Sequence, residues 1–135
     1  MGYSMSFYVE RRVDGRWEHV SGTGMGAEFA TILRGRNVYA ALMGWPDYAD
    51  IGTTVKPIDG SDKGVPADAS DVVLRDYEPA SECCYPSWHT LAALLAYDWK
   101  ANGADDCGED LAEAIGRMKT LGAPGDVRCI FWLTH

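Results

Sequence analysis

Hydrophobic and polar positions alternate at both ends of the chain and take helical spacing in between. Over Tyr3 to Glu10, the residues Tyr3, Met5, Phe7 and Val9 alternate with Ser4, Ser6, Tyr8 and Glu10, the period of a half-buried strand. Asp14-Gly15 supplies the positive backbone dihedrals of a tight hairpin turn, and Arg16-Trp17-Glu18-His19-Val20 alternates again as the return strand. At the far end, Val127, Cys129, Phe131 and Leu133 lie on one side and Arg128, Ile130 and Trp132 on the other. Both sides are bulky, which predicts an inner strand covered on both faces.

The glycine-spaced Ser21-Gly22-Thr23-Gly24-Met25-Gly26 reads as a connector, because the lysine of a phosphate-cradling loop is missing. Ala27 to Leu33 and Asn37 to Met43 take helical spacing, interrupted at Arg34-Gly35-Arg36, with Val38, Ala41 and Leu42 on one face. From Trp45 to Ala80, Pro46, Pro57, Pro66 and Pro79 with Gly52, Gly60 and Gly64 punctuate too often for a long element. They predict an irregular middle with short extended pieces at Thr53–Ile58 and Val72–Tyr77. Thr90 is placed to cap a helix over Leu91–Trp99, with Leu91, Leu94, Leu95 and Trp99 as its apolar stripe. A second helix spans about Gly108 to Leu121, with Glu109 and Asp110 in its first turn and Arg117 and Lys119 near its end, as the macrodipole prefers. Leu111, Ile115 and Met118 form its buried face, and Gly122 suits a left-handed cap. The pattern predicts one α+β domain over residues 1–135 with a loop-rich middle at about 45–80. Its small, mostly antiparallel sheet holds the N-terminal hairpin and the C-terminal strand, packed by two or three helices.

Charge narrows the partners. Twenty acids against twelve Lys and Arg give a net charge of −8, which argues against a protein that grips phosphate backbones directly. A basic protein surface, including one whose normal ligand is nucleic acid, suits it better. A chain of 135 residues buries a core without staples, so Cys83, Cys84, Cys107 and Cys129 are expected as reduced thiols in a cytoplasmic protein. No apolar run approaches the roughly 18 residues of a membrane span, and no signal peptide is visible, so no membrane role is expected.

Candidate chemistry gathers in Cys83-Cys84-Tyr85-Pro86-Ser87-Trp88-His89-Thr90. Cys83, Cys84, His89 and Cys107 are soft donors, but adjacent cysteines fit the C-x₂₋₄-C spacing of zinc sites poorly, so neither metal nor other cofactor is expected. His89 with Cys84 or Asp98 is the pairing a small enzyme would use, without the local signature of a known nucleophile. Trp88, His89 and Tyr85 offer ring faces, while Arg36 and Asn37 offer donors to phosphate or carboxylate. Asp68, in the acidic middle with Asp59, Asp62, Asp71 and Asp76, suits the polar rim of a protein contact. The recognition readings assume that the chain ends pair as neighbouring strands and that the Trp88–His89 corner faces outward.

Several blocks recur in a familiar order. They are Met1-Gly2-Tyr3, Arg36-Asn37-Val38-Tyr39-Ala40-Ala41-Leu42-Met43-Gly44, Lys63-Gly64-Val65-Pro66-Ala67-Asp68, Pro86-Ser87-Trp88-His89-Thr90-Leu91, Tyr97-Asp98-Trp99 and Val127-Arg128-Cys129-Ile130-Phe131-Trp132. In these blocks the chain resembles a set of small, mostly uncharacterised tailed-phage and prophage accessory proteins. It departs from them at Lys63-Gly64-Val65-Pro66, where they tend to carry Arg-Gly-Leu-Pro, and at Thr134-His135, where they often end in an acidic-amide pair. The resemblance implies a phage product acting in the host-cell cytoplasm. Its leading reading is a non-catalytic inhibitor of a bacterial defence system, of the anti-CRISPR or a related anti-defence type, bound to a host immune protein. Two alternatives stay open: a sponge for a nucleotide signal built on Arg36, Asn37, Trp88 and His89, and a small enzyme built on His89. Self-association is also left open.

Overall fold

The computed structural model describes residues 4–24, 38, 41–42, 55–60, 63–77, 83–103 and 108–134. Four strands, β1 (Ser4–Val13), β2 (Arg16–His19), β3 (Cys83–Thr90) and β4 (Val127–Thr134), form one antiparallel sheet in the order β2-β1-β4-β3. Among the described residues three helices of defined extent accompany it, α1 (Asp71–Asp76), α2 (Leu91–Ala96) and α3 (Glu109–Met118), giving an α+β fold. Among the described residues no helix is long and apolar enough to cross a membrane.

The hairpin forms as the alternation predicts. Asp14 and Gly15 take φ of 51° and 79°, the two positive values that a two-residue turn needs to match strand twist. Beyond β2 the chain keeps following β1, with Val20 N–H donating to the Val9 carbonyl and Gly24 N–H to the Phe7 carbonyl. Between these bonds the Thr23 hydroxyl stands in for a backbone acceptor, taking the Val9 N–H at 3.0 Å. Residues 21–24 of the glycine loop are therefore an extension of the ladder rather than a loose connector.

The C-terminal strand is central, and both of its faces are closed. Val127, Cys129, Phe131 and Leu133 meet Met5, Phe7 and Val9 of β1 under Leu91, Leu94, Leu111, Ala114 and Met118, forming the larger core. Buried Val38, Ala41 and Leu42, which are helical, join that core and bear out the shared face read from their spacing. On the opposite face, Tyr8, Ile130 and Trp132 pack with Ala69 and Val73. Tyr8 stacks on Trp132 at 4.9 Å and Tyr77 meets Trp132 edge-on at 5.1 Å, contacts that add roughly 0.5–1.5 kcal/mol each beyond area burial.

Several local expectations need correction. Val72–Tyr77 is not extended: Val72 to Asp76 lie in α1, held down by buried Val73 and by the Tyr8 hydroxyl donating to Asp76 Oδ2 at 2.8 Å. Thr90 caps α2 through Oγ1, which accepts from Ala93 N–H, but the helix stops at Ala96. Leu91 and Leu94 are its buried pair, while Leu95 is 45% exposed. The Cys83–Thr90 run is a strand, and its Tyr85 and Pro86 together stand opposite Trp132 as a β-bulge.

Gly24 shows how closely the loop sits on the sheet. Its φ is +131°, and a Cβ there would lie 2.8 Å from the Tyr8 ring. Gly24→Ala is expected to destabilise the fold by roughly 1–3 kcal/mol, read as a lower urea midpoint with unchanged slope.

Candidate functional site

The bulge decides where the chemistry of β3 goes. Cys84 pairs with Leu133 and Ser87 with Phe131, so one extra residue is absorbed before Trp88. A one-residue shift in a strand exchanges its two faces. His89 consequently pairs with Cys129 and sinks into the helix-covered core, while Trp88 pairs with Ile130 and packs on the other side. The expected outward-facing Trp88–His89 corner does not exist. The sheet itself separates the indole from the imidazole.

His89 is fully buried. Its Nε2 donates to the Leu42 carbonyl at 2.8 Å, which places the neutral ring's proton there, and Nδ1 has no partner among the described residues. Burial pushes its pKa down to about 4, against the raising effect of the Leu42 bond. The neighbouring thiol of Cys129 is also buried, and desolvation pushes it up to about 12. A neutral imidazole beside a protonated thiol is a pair of core groups, not an activated nucleophile. Asp98, the other partner considered for His89, is exposed in the turn after α2, where its Oδ1 accepts from Ala101 N–H.

The remaining expected residues scatter. Arg36, Asn37 and Cys107 lie outside the described residues, as do the side chains of Cys83 and Cys84. Tyr85 sits on the bulge with φ 56° and packs partly against the larger core. Among the described residues no three His, Cys, Asp or Glu side chains are arranged to hold a metal.

Two of the residues do meet, around a group that motif reading passed over. Arg128 lies on the Trp88 face of β4, only 3% exposed. Its Nε donates to Glu10 Oε1 at 2.7 Å and its Nη1 to Asp68 Oδ1 at 3.0 Å. Trp17 lies 4.0 Å from the guanidinium carbon and Trp88 5.7 Å, so two indoles flank the cation. Lys63 Nζ stands 4.4 Å from the Trp88 ring. Glu10 is fully buried, and its second oxygen takes the Ser70 N–H at 2.7 Å. The signal was present in the sequence: an arginine in a strand covered on both sides needs a carboxylate, and Glu10 closes the alternation of β1.

Beside this pair the surface opens into a cleft of about 600 Å³ between β2 and the 68–72 segment. Trp17 and His19 form one wall and Asp68, Ser70 and Asp71 the other. Glu10 neutralises Arg128, and Arg16 and Glu18 on the β2 wall offset each other, so Asp68 and Asp71 are carboxylates in surplus, and the Asp68 side chain is 69% exposed. The arrangement suits a basic, partly apolar group from outside. No protein-family model, no curated protein and no solved structure matches this chain.

Two outcomes follow. Glu10→Ala, which strands a buried cation, is expected to cost roughly 3–5 kcal/mol in chemical denaturation, whereas Glu10→Leu combined with Arg128→Met costs far less than the two single changes summed. The unfolded His89 titrates near 6.5 and the folded one near 4, so the unfolded chain alone takes up this proton as pH falls. Stability from this residue is full above pH 6.5, declines by roughly 3 kcal/mol down to pH 4 and is flat below. Subtracting the profile of His89→Gln isolates that slope.

Proposed function

We propose that the chain is a phage-encoded, non-catalytic inhibitor of a bacterial defence system, which acts in the host cytoplasm by covering a basic surface of a host immune protein. The observation that carries this reading is the cleft between β2 and 68–72, with Trp17 and His19 on one wall and surplus carboxylates of Asp68 and Asp71 on the other. Opposite charge steers the encounter, and the indole supplies apolar area for the stem of an arginine or lysine. Asp68 thus keeps the contact role expected from its acidic neighbourhood, and Trp88 supports the site from beneath through Arg128.

The buried state of His89 favours binding over turnover, because the imidazole most suited to acid-base work is closed in beside an inert thiol. It equally removes His89 from a nucleotide pocket. A nucleotide sponge would gain support from thermal stabilisation by cyclic nucleotides, which contributes about 2.7 kcal/mol at a hundredfold the Kd.

The test is a plating assay across bacterial hosts that each carry one defence system. Expression of the chain is expected to restore phage plating against one of them, and tagged chain to retain a stoichiometric component of that system. Asp68→Asn with Asp71→Asn is expected to weaken that complex about tenfold or more, roughly 1.4 kcal/mol, without loss of fold. Unchanged plating against every system, with no host component retained, overturns the proposal.

A further inference from the structure

We propose that the outer edge of β2 takes up an extended, basic segment of another protein as an added strand seated in the cleft. This rests on the binding reading above, though not on which host protein is the target. The argument starts from the phase of the hairpin. A two-residue turn makes Val13 and Arg16 its first hydrogen-bonded pair, and pairs then alternate along an antiparallel ladder. Arg12 opposite Trp17 and Glu10 opposite His19 are therefore the non-bonded pairs. The Val20 N–H bond to the Val9 carbonyl, at 2.9 Å, keeps the same phase past the end of β2.

It follows that the N–H and C=O of Trp17 and of His19 point away from β1. Both residues line the cleft, and among the described residues these backbone groups have no hydrogen-bond partner. Donor and acceptor groups two residues apart, about 6.8 Å along a strand, are the repeat that a neighbouring strand presents. An exposed edge of this kind is a template for strand addition.

Charge selects the occupant. The opposite wall carries Asp68 and Asp71, so an incoming strand with lysine or arginine at alternate positions meets carboxylates while its backbone pairs with β2. A second copy of this chain would bring its own acidic cleft and a net charge of −8 to the same place, which disfavours edge-to-edge self-pairing.

The probe is an end-blocked peptide of alternating valine and arginine, titrated into the unaltered protein by calorimetry. Saturable binding is expected, weakening by about tenfold or more between about 50 and 500 mM salt. Peptides N-methylated at alternate residues separate strand pairing from loose charge attraction. Methyls on the edge that faces β2 are expected to abolish binding, and methyls on the other edge to leave it. The Trp17 and His19 amides are expected to gain protection from hydrogen exchange. Asp71→Asn is expected to weaken the peptide while circular dichroism stays unchanged.

No binding of the parent peptide, or binding indifferent to which edge is methylated, overturns the inference. So does sedimentation showing a dimer through β2 that the peptide does not disperse. A host component retained equally well when excess peptide is present overturns strand addition but leaves the inhibitor reading standing. Register-dependent peptide binding without any effect on phage plating supports strand addition and counts against the inhibitor.

Discussion

A cation that cannot leave the interior organises one side of this molecule. Arg128 projects from the central strand into a layer closed by Trp17, Trp88 and the 68–72 segment, where a charge left unpaired costs a large share of the net stability of a domain. The Glu10 carboxylate answers it and holds the Ser70 backbone with its other oxygen. One side chain thereby links β1, β4 and the approach to α1. Because Glu10 and Arg128 are direct partners across the ladder, a slip of one residue between β1 and β4 would put the two charges on opposite faces and leave each without the other. The position of the acidic wall relative to β2 depends on that register.

The regular parts of the fold were legible because their physics is local. Asp14-Gly15 dictates its turn, and Met5, Phe7 and Val9 keep strict period. Val127 to Leu133 is bulky on both sides and proved to be an inner strand, and Leu111, Ile115 and Met118 keep helical spacing. Thr90 caps as its hydroxyl allows. What failed is what distant contacts decide. Val72, Val73 and Tyr77 have the composition of a strand, yet Val73 fills a gap beneath Trp132, and the Tyr8–Asp76 bond fixes the turn as helix. Cys83–Thr90 hid as a strand because Tyr85 and Pro86 break its period.

The candidate site was half legible. Asp68 and Trp88 were picked for their chemistry and do lie together, but the group that unites them, Arg128, belongs to a strand read only for its bulk. His89 drew notice for its nearness to thiols and aromatic rings, and no local pattern announces that an imidazole will find a backbone carbonyl inside the core. Trp17 and His19 gained importance from a different source. For strand addition the direction of their backbone N–H and C=O groups is what counts, and it follows from the count of residues back to the hairpin turn.

The bulge in β3 carries an implication for how such a chain can change. Between Cys84 and Ser87 one residue is surplus to the pairing, and the ladder resumes with the indole beside Ile130 and the imidazole beside Cys129. Deleting one of the two residues opposite Trp132 would leave a regular ladder in which Ser87 still faces Phe131 and His89 still faces Cys129. A homologous chain one residue shorter at this spot thus keeps the same interior with a straighter edge strand.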